Sequence, residues 1–156
     1  MKAIKYQQEV IKCVLKGKDN EMIRYWEQDG FIYSCIDSFR MIRIPKSEWV
    51  LDLNNIDSRY NQKLHLDEFI GAENDYEDAI LTNEIEQETT VTGKKSSVRK
   101  IVSANNPDHY IWFNEKFLEY YDEPTFKLAK DFKVTLPIRV YEGGVFTGFI
   151  CGLRRR

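Results

Sequence analysis

The chain has 156 residues, 42% apolar and 31% charged, with a formal net charge of −2, a balance that fits one folded domain and excludes wholesale disorder. No run approaches the roughly 18 apolar residues of a membrane helix, and the start MKAIKYQQEV lacks the apolar core of a secretion signal, so a cytoplasmic protein is predicted. The near-neutral total excludes global attraction to nucleic acid. Charge is nevertheless uneven: 67–88 holds nine acids and no Lys or Arg, 1–18 holds five lysines against one glutamate, and 127–156 holds seven basic residues against two acids.

In chain order, a short strand is predicted over 2–6, followed by a helix over 7–16 with Val10, Ile11, Val14 and Leu15 on one side. Gly17 ends it. Gln8, Lys12 and Lys16 share the opposite side at i, i+4 spacing, leaving two lysines on an exposed stripe. Residues 22–26 and 31–36 read as a hairpin around Gln28-Asp29-Gly30, and 39–44 as a further strand ended by Pro45. The region 51–82 is weakly patterned and reads as a short helix near Asp67 to Ile70 followed by an acidic loop. Residues 84–92 and 97–103 read as a second hairpin joined at Thr92-Gly93-Lys94-Lys95.

Further on, 110–113 reads as a short strand leading to Asn114, a good N-cap for a helix to about Tyr121. That helix would bury Phe117, Leu118 and Tyr121 and expose Glu115, Lys116 and Glu119. Residues 126–128, 134–141 and 145–153 complete the strands, with Gly143-Gly144 as the last hairpin turn. Cys13, Cys35 and Cys151 are odd in number and flanked by apolar residues, the pattern of reduced core thiols.

Laid together without gaps, Asp29 to Arg40 (DGFIYSCIDSFR) and Gly143 to Arg154 (GGVFTGFICGLR) match Gly30 with Gly144, Ile36 with Ile150 and Arg40 with Arg154. A duplicated helix-plus-strands unit accounts for this match. Such a repeat resembles one domain of the DNA sliding-clamp superfamily. Asp29 to Arg40 resembles the bacterial clamp's hairpin, in which a turn glycine precedes a strand ending in an Asp-Gly-Tyr-Arg-like segment. Trp112 to Leu118 resembles its Phe-Asn-x-x-Tyr-Leu helix start, and Phe149 to Arg154 resembles its closing strand, with Gly152 where that family favours proline. These motifs cover about a third of the chain, and a bacterial clamp carries three such domains.

The resemblance implies an α+β, clamp-like single domain over 1–156, with half-repeats over roughly 1–66 and 84–156 and an acidic connection over 67–83. It also implies non-catalytic, DNA-associated binding or assembly, as an accessory of phage or mobile-element replication. Phosphate contacts would come from Lys12, Lys16 and Lys116, with Arg99, Lys100, Arg154, Arg155 and Arg156 extending the basic surface. The alternative is a protein-interaction domain that has lost DNA binding and engages a basic partner through the acidic residues Asp75, Glu77 and Asp78 or through sheet edges.

No linear signature of catalysis accompanies these elements, and no cofactor or metal is expected. Gly93-Lys94-Lys95-Ser96 is similar to the end of a phosphate-binding loop, but Glu88 stands where its first glycine belongs and Lys95 where Ser or Thr must follow the lysine. His65 and His109 lack zinc spacing. Asp75, Glu77 and Asp78 lack the ligand order and turn glycine of a calcium loop.

Overall fold

A computed structural model describes residues 1–17, 22–64, 72–89, 91–131 and 136–153. It contains one α-helix, α1 (Ala3–Lys16), and nine strands: β1 (Arg24–Gln28), β2 (Phe31–Cys35), β3 (Arg40–Pro45), β4 (Tyr76–Thr89), β5 (Lys95–Ser103), β6 (Tyr110–Asn114), β7 (Thr125–Ala129), β8 (Ile138–Glu142) and β9 (Val145–Ile150). All nine join one sheet in the order β1-β2-β3-β9-β8-β7-β4-β5-β6. Every adjacent pair is antiparallel.

This architecture overturns the expected pair of helix-plus-strand halves in a clamp-like domain. Among the described residues only the first half carries an α-helix. The second expected helix is a single 3-10 turn, Glu115–Leu118, entered through Asn114, whose side chain accepts the Lys116 N–H at 3.0 Å. Tyr120 and Tyr121, adjacent in sequence, are both buried. The hydrogen bonds here run three residues back, from the Glu119 N–H to the Lys116 carbonyl and from the Tyr121 N–H to the Leu118 carbonyl, both at 3.1 Å, the spacing of a 3-10 turn and not of an α-helix. The internal match has a different origin: β2 and β9 flank β3, and Ser34 and Gly148, which the ungapped match aligns, both pair with Ile42. What the match reports is two return strands of two hairpins.

Two more expectations change. Residues 2–6 begin α1 rather than a strand, because the Tyr6 N–H donates to the Lys2 carbonyl at 3.1 Å and burial falls on Ala3, Tyr6, Gln7 and Val10, a helical spacing. The acidic run is strand from Tyr76 onward, not loop. The helix predicted over 67–70 lies outside the described residues.

The hairpin turns form as their residues dictate. Asp29 and Gly30 have φ of 54° and 79°, and Gly143 and Gly144 have 56° and 79°, the two positive values of a two-residue type I′ turn. Gly17 closes α1 in the left-handed conformation, donating to the Val14 carbonyl.

α1 packs on one face of the sheet. Tyr6 reaches the Ser34 hydroxyl at 3.0 Å and meets the Tyr120 ring edge-on at 5.2 Å. The main core gathers Tyr6 and Val10 with Ile32, Ile42, Ile44, Ile101, Phe113, Phe126, Leu128, Ile138 and Ile150. A smaller cluster unites Trp26, Cys35, Met41 and Phe149, with Leu64 against it. Beyond β9 the Leu153 N–H donates to the Trp112 carbonyl at 2.7 Å, so the six strands from β9 to β6 curl until their ends meet. A Cβ on Gly152 would stand 2.4 Å from Ile111 Cγ2, which explains a glycine at this closure.

The connection between β3 and β4 is fastened to α1 through Gln7. Its amide donates to the Glu48 carbonyl at 2.9 Å and accepts the Val50 N–H at 2.7 Å.

Candidate functional site

The longest strand makes the most unusual surface. β4 has 14 residues, but β7 pairs only with Tyr76 to Ala79. On its other side β4 pairs with β5 from Ala79 to Leu81 and again from Ile85 to Thr89. The second stretch forms an arm closed by a turn through 91–94, and among the described residues no strand pairs the β7-side edge of β4 from Ile80 to Thr89.

A bulge separates the arm from the sheet. Leu81 pairs with Ile101 and Ile85 with Arg99, so Thr82, Asn83 and Glu84 stand opposite Lys100 alone. The side chains of this segment hold it in place. The Thr82 hydroxyl donates to the Lys100 carbonyl at 2.8 Å and accepts the Glu84 N–H at 3.1 Å. Arg99 donates from Nε to the Thr82 carbonyl at 2.7 Å and lies 3.3 Å from Glu115. Lys100 meets Glu84 at 2.9 Å and lies over the Tyr110 ring at 4.4 Å.

Along the arm, strand alternation puts Glu84, Glu86 and Glu88 on one face. Ile85, Gln87 and Thr89 occupy the other, and Ile85 remains exposed because the core ends below it. Gln87 donates to the Ser97 hydroxyl across the ribbon at 2.7 Å. An edge of this kind can accept another strand through its backbone groups and select it by charge.

The three expected acidic contacts separate here. Asp78 is exposed. Glu77 instead anchors the base of the arm: it accepts the Ser103 hydroxyl at 2.7 Å and the Asn105 amide at 3.2 Å, and faces His109 Nδ1 at 3.3 Å. The Ser103 hydrogen bond, aided by Asn105 and His109 against the effect of burial, holds its carboxyl below the usual range. Asp75 caps its own turn, accepting the Ala72 N–H at 3.0 Å, while its carbonyl receives the Lys130 N–H.

The described basic candidates sit on three separate elements, α1, β5 and the 3-10 turn. Lys12 and Lys16 are exposed on α1, and Lys116 is exposed on the 3-10 turn. Lys5, at 3.6 Å from Glu119, marks where α1 passes that turn, and Lys12 lies about 10 Å further along the helix axis. Arg99 and Lys100 are half-buried and engaged with Glu115 and Glu84. Arg154, Arg155, Arg156 and His65 lie outside the described residues. Sequence reasoning passed over Glu84, Glu86 and Glu88 as a site, although their alternation with Ile85, Gln87 and Thr89 is a strand signal.

Among the described residues no group of three or more His, Cys, Asp or Glu is placed to hold a metal ion, and no helix is long and apolar enough to cross a membrane. Comparison with protein-family models, curated proteins and solved structures finds no match.

Proposed function

We propose that this chain is a non-catalytic protein-interaction domain of the cytoplasm that receives a basic, extended segment of a partner along the edge of β4. The observation behind this reading is the length mismatch between β4 and β7, which leaves Ile80 to Thr89 with an edge that no described strand pairs. Backbone pairing along that edge supplies affinity for any extended chain. Glu84, Glu86 and Glu88, about 7 Å apart on one face, supply preference for Lys or Arg at alternate positions.

The same glutamates disfavour a second copy as the added strand. Antiparallel pairing of β4 with β4 about Glu86 would set Glu84 opposite Glu88, and like charges directly opposed are destabilising. Charged edges also serve simply to prevent aggregation, and the test must separate that role from recognition. A labelled 12-residue peptide of alternating Val and Lys is titrated by fluorescence anisotropy, with an alternating Val and Glu peptide as control. Saturable binding of the basic peptide alone is expected, with slowed hydrogen exchange at residues 80–89 and at least tenfold weakening in the Glu84→Lys/Glu86→Lys variant. Equal binding of both peptides, or no protection on the arm, would reduce the glutamates to an anti-aggregation device.

DNA-associated binding is the second reading and rests on the exposed Lys12 and Lys16. Salt-dependent retention of duplex DNA, lost in Lys12→Glu/Lys16→Glu, would restore it.

A further inference from the structure

Away from the arm, α1 carries a second surface that neither the core nor the β4 edge uses. At about 100° per residue, Ile4, Gln8, Ile11 and Leu15 fall within roughly 60° of one another and form a stripe about 16 Å long. Three of these four are apolar and exposed: Ile4 by 56%, Ile11 by 39% and Leu15 by 80%. Val50, 70% exposed, continues the stripe beyond Ile4. Between them lies a groove of 490 Å³ lined by Lys2, Ile4, Lys5, Ser47, Glu48 and Val50.

The groove wall is fixed in place. Gln7, 2% exposed, binds the backbone of Glu48 and Val50 from within the helix. The site is therefore formed before any occupant arrives.

Charge defines the occupant. Lys5, Lys12 and Lys16 share one flank, within roughly 40° of one another and about 90° from the apolar stripe. Glu9 is the single acid of α1. Lys16 also suits the negative end of the helix dipole, but Lys5 and Lys12 lie outside the last turn and have no such role. Lys5 lies 3.6 Å from Glu119 and 5.7 Å over the Tyr120 ring, with both charged side chains partly exposed.

We infer that the outer face of α1 and its groove with 46–50 form a docking site for an acidic amphipathic helix of a partner protein. The partner's apolar stripe lies on Ile4, Ile11, Leu15 and Val50, and its acidic flank faces Lys5, Lys12 and Lys16. Glu48, at the mouth near Ile4, favours a basic or neutral residue at the corresponding end of that helix and so sets its direction. An anionic bilayer has the same general chemistry, apolar with negative charge. It fits less well, since a flat surface cannot enter the groove and would bring its headgroups against Glu48.

The probe is an acetylated, amidated 18-residue helical peptide with leucines along one face and glutamates along one flank, followed by fluorescence anisotropy with the full chain. Two controls accompany it: a scrambled peptide of identical composition, and sedimentation with phosphatidylcholine vesicles with and without phosphatidylserine. The designed peptide is expected to bind at least tenfold more tightly than the scrambled one, and more weakly as salt rises. Ile11→Ser/Leu15→Ser and Lys12→Glu/Lys16→Glu should each weaken it at least tenfold, with circular dichroism melts checking that both variants fold. Should a variant unfold, the comparison of designed and scrambled peptides on the unaltered chain still decides. Equal binding of the two peptides, no binding, or sedimentation with phosphatidylserine vesicles in place of peptide binding would each overturn the inference. Because the β4 edge is probed by an extended basic peptide, failure at one surface leaves the other standing.

Discussion

Arg139 donates from Nη1 to Glu73 Oε2 at 2.6 Å, tying β8 to the short turn that precedes β4. Lys127 reaches the same carboxylate at 3.0 Å, and the Tyr141 hydroxyl lies within 2.9 Å of both its oxygens. Burial alone would raise the Glu73 carboxyl, but hydrogen bonds from Lys127 and Tyr141 and the charges of Arg139 and Lys127 outweigh it, holding the group below its ordinary 4.5. A carboxyl depressed in the folded state stabilises fully above its unfolded value, and that contribution is lost as pH falls through the folded one. Glu73→Gln should therefore cost about 1 kcal/mol at pH 7, a modest figure because the exposed half of Glu73 is screened by solvent. The gap between wild type and variant should narrow below about pH 4.5. Urea midpoints from pH 7 to pH 3 check this, and a gap that stays constant would sink the charge account.

Gly148 faces the Met41 carbonyl and the Tyr121 hydroxyl so closely that a Cβ would stand 2.3 and 2.4 Å from them. The carbonyl belongs to β3, which pairs with β9 at this point, so it cannot retreat without opening the sheet. Gly148→Ala should cost about 2 to 3 kcal/mol through overpacking. The buried Tyr121 hydroxyl has no hydrogen-bond partner among the described residues. Tyr121→Phe should accordingly be neutral or stabilising by about 1 kcal/mol, the reverse of a usual polar deletion. Melting temperatures of the two variants and their combination test both statements; a strongly destabilised Tyr121→Phe would mean the hydroxyl is satisfied.

What could be read from sequence is local. Asp29-Gly30, Gly143-Gly144 and Gly17 announce turns because only a few residues tolerate positive φ, and the hairpins they close are present. Sheet order is not local: β3 lies beside β9, and β7 beside β4, through contacts that no short pattern encodes. The short motifs around Gly30 and Gly144 mark corresponding turns of two hairpins, β1-β2 and β8-β9, and carry no information on which strands those hairpins lie beside. The candidate site was misread for another reason. Asp and Glu are depleted in strands because most strands are half-buried, so the acids between 71 and 83 suggested a loop, and the strand was read only from Glu84 onward. β4 accommodates its share by running beyond the core, where strand glutamates remain in water. Tyr121 was legible as a buried residue but Tyr120 was not, since their neighbours in space come from α1 and from β3 with β9.

The three thiols should report the packing directly. Cys35 is buried, and burial, aided by the charge of Asp37, pushes its thiol up to about 12. Burial also raises Cys13 and Cys151, but both are only half-buried. Because the thiolate is the reactive form, a disulfide reagent at pH 8 should label two cysteines in the native protein and the third only on unfolding. A lag of at least tenfold for Cys35 is expected by mass spectrometry of digested samples. Equal rates for all three would contradict the placement of Cys35 between β1 and β3.

The arm itself can be removed along its own register. Glu86 and Val98 are directly paired, so replacing residues 87–97 by Asn-Gly closes the ribbon with a two-residue turn suited to a hairpin. Val98 is fully buried and is kept, while most of the deleted residues are exposed and none belongs to the core clusters. Thr82, Asn83 and the Lys100–Glu84 contact at the bulge also remain. The shortened chain should melt within about 3 °C of the parent, since surface segments outside the core contribute little to stability. It should lose at least tenfold in affinity for the alternating Val and Lys peptide while retaining the amphipathic acidic peptide at α1. A large drop in melting temperature would show that the arm supports the fold. Undiminished binding of the basic peptide would show that residues 87–89 add nothing to its site and leave the Glu84→Lys/Glu86→Lys variant to decide whether the remaining β4 edge, Ile80 to Glu86, holds it.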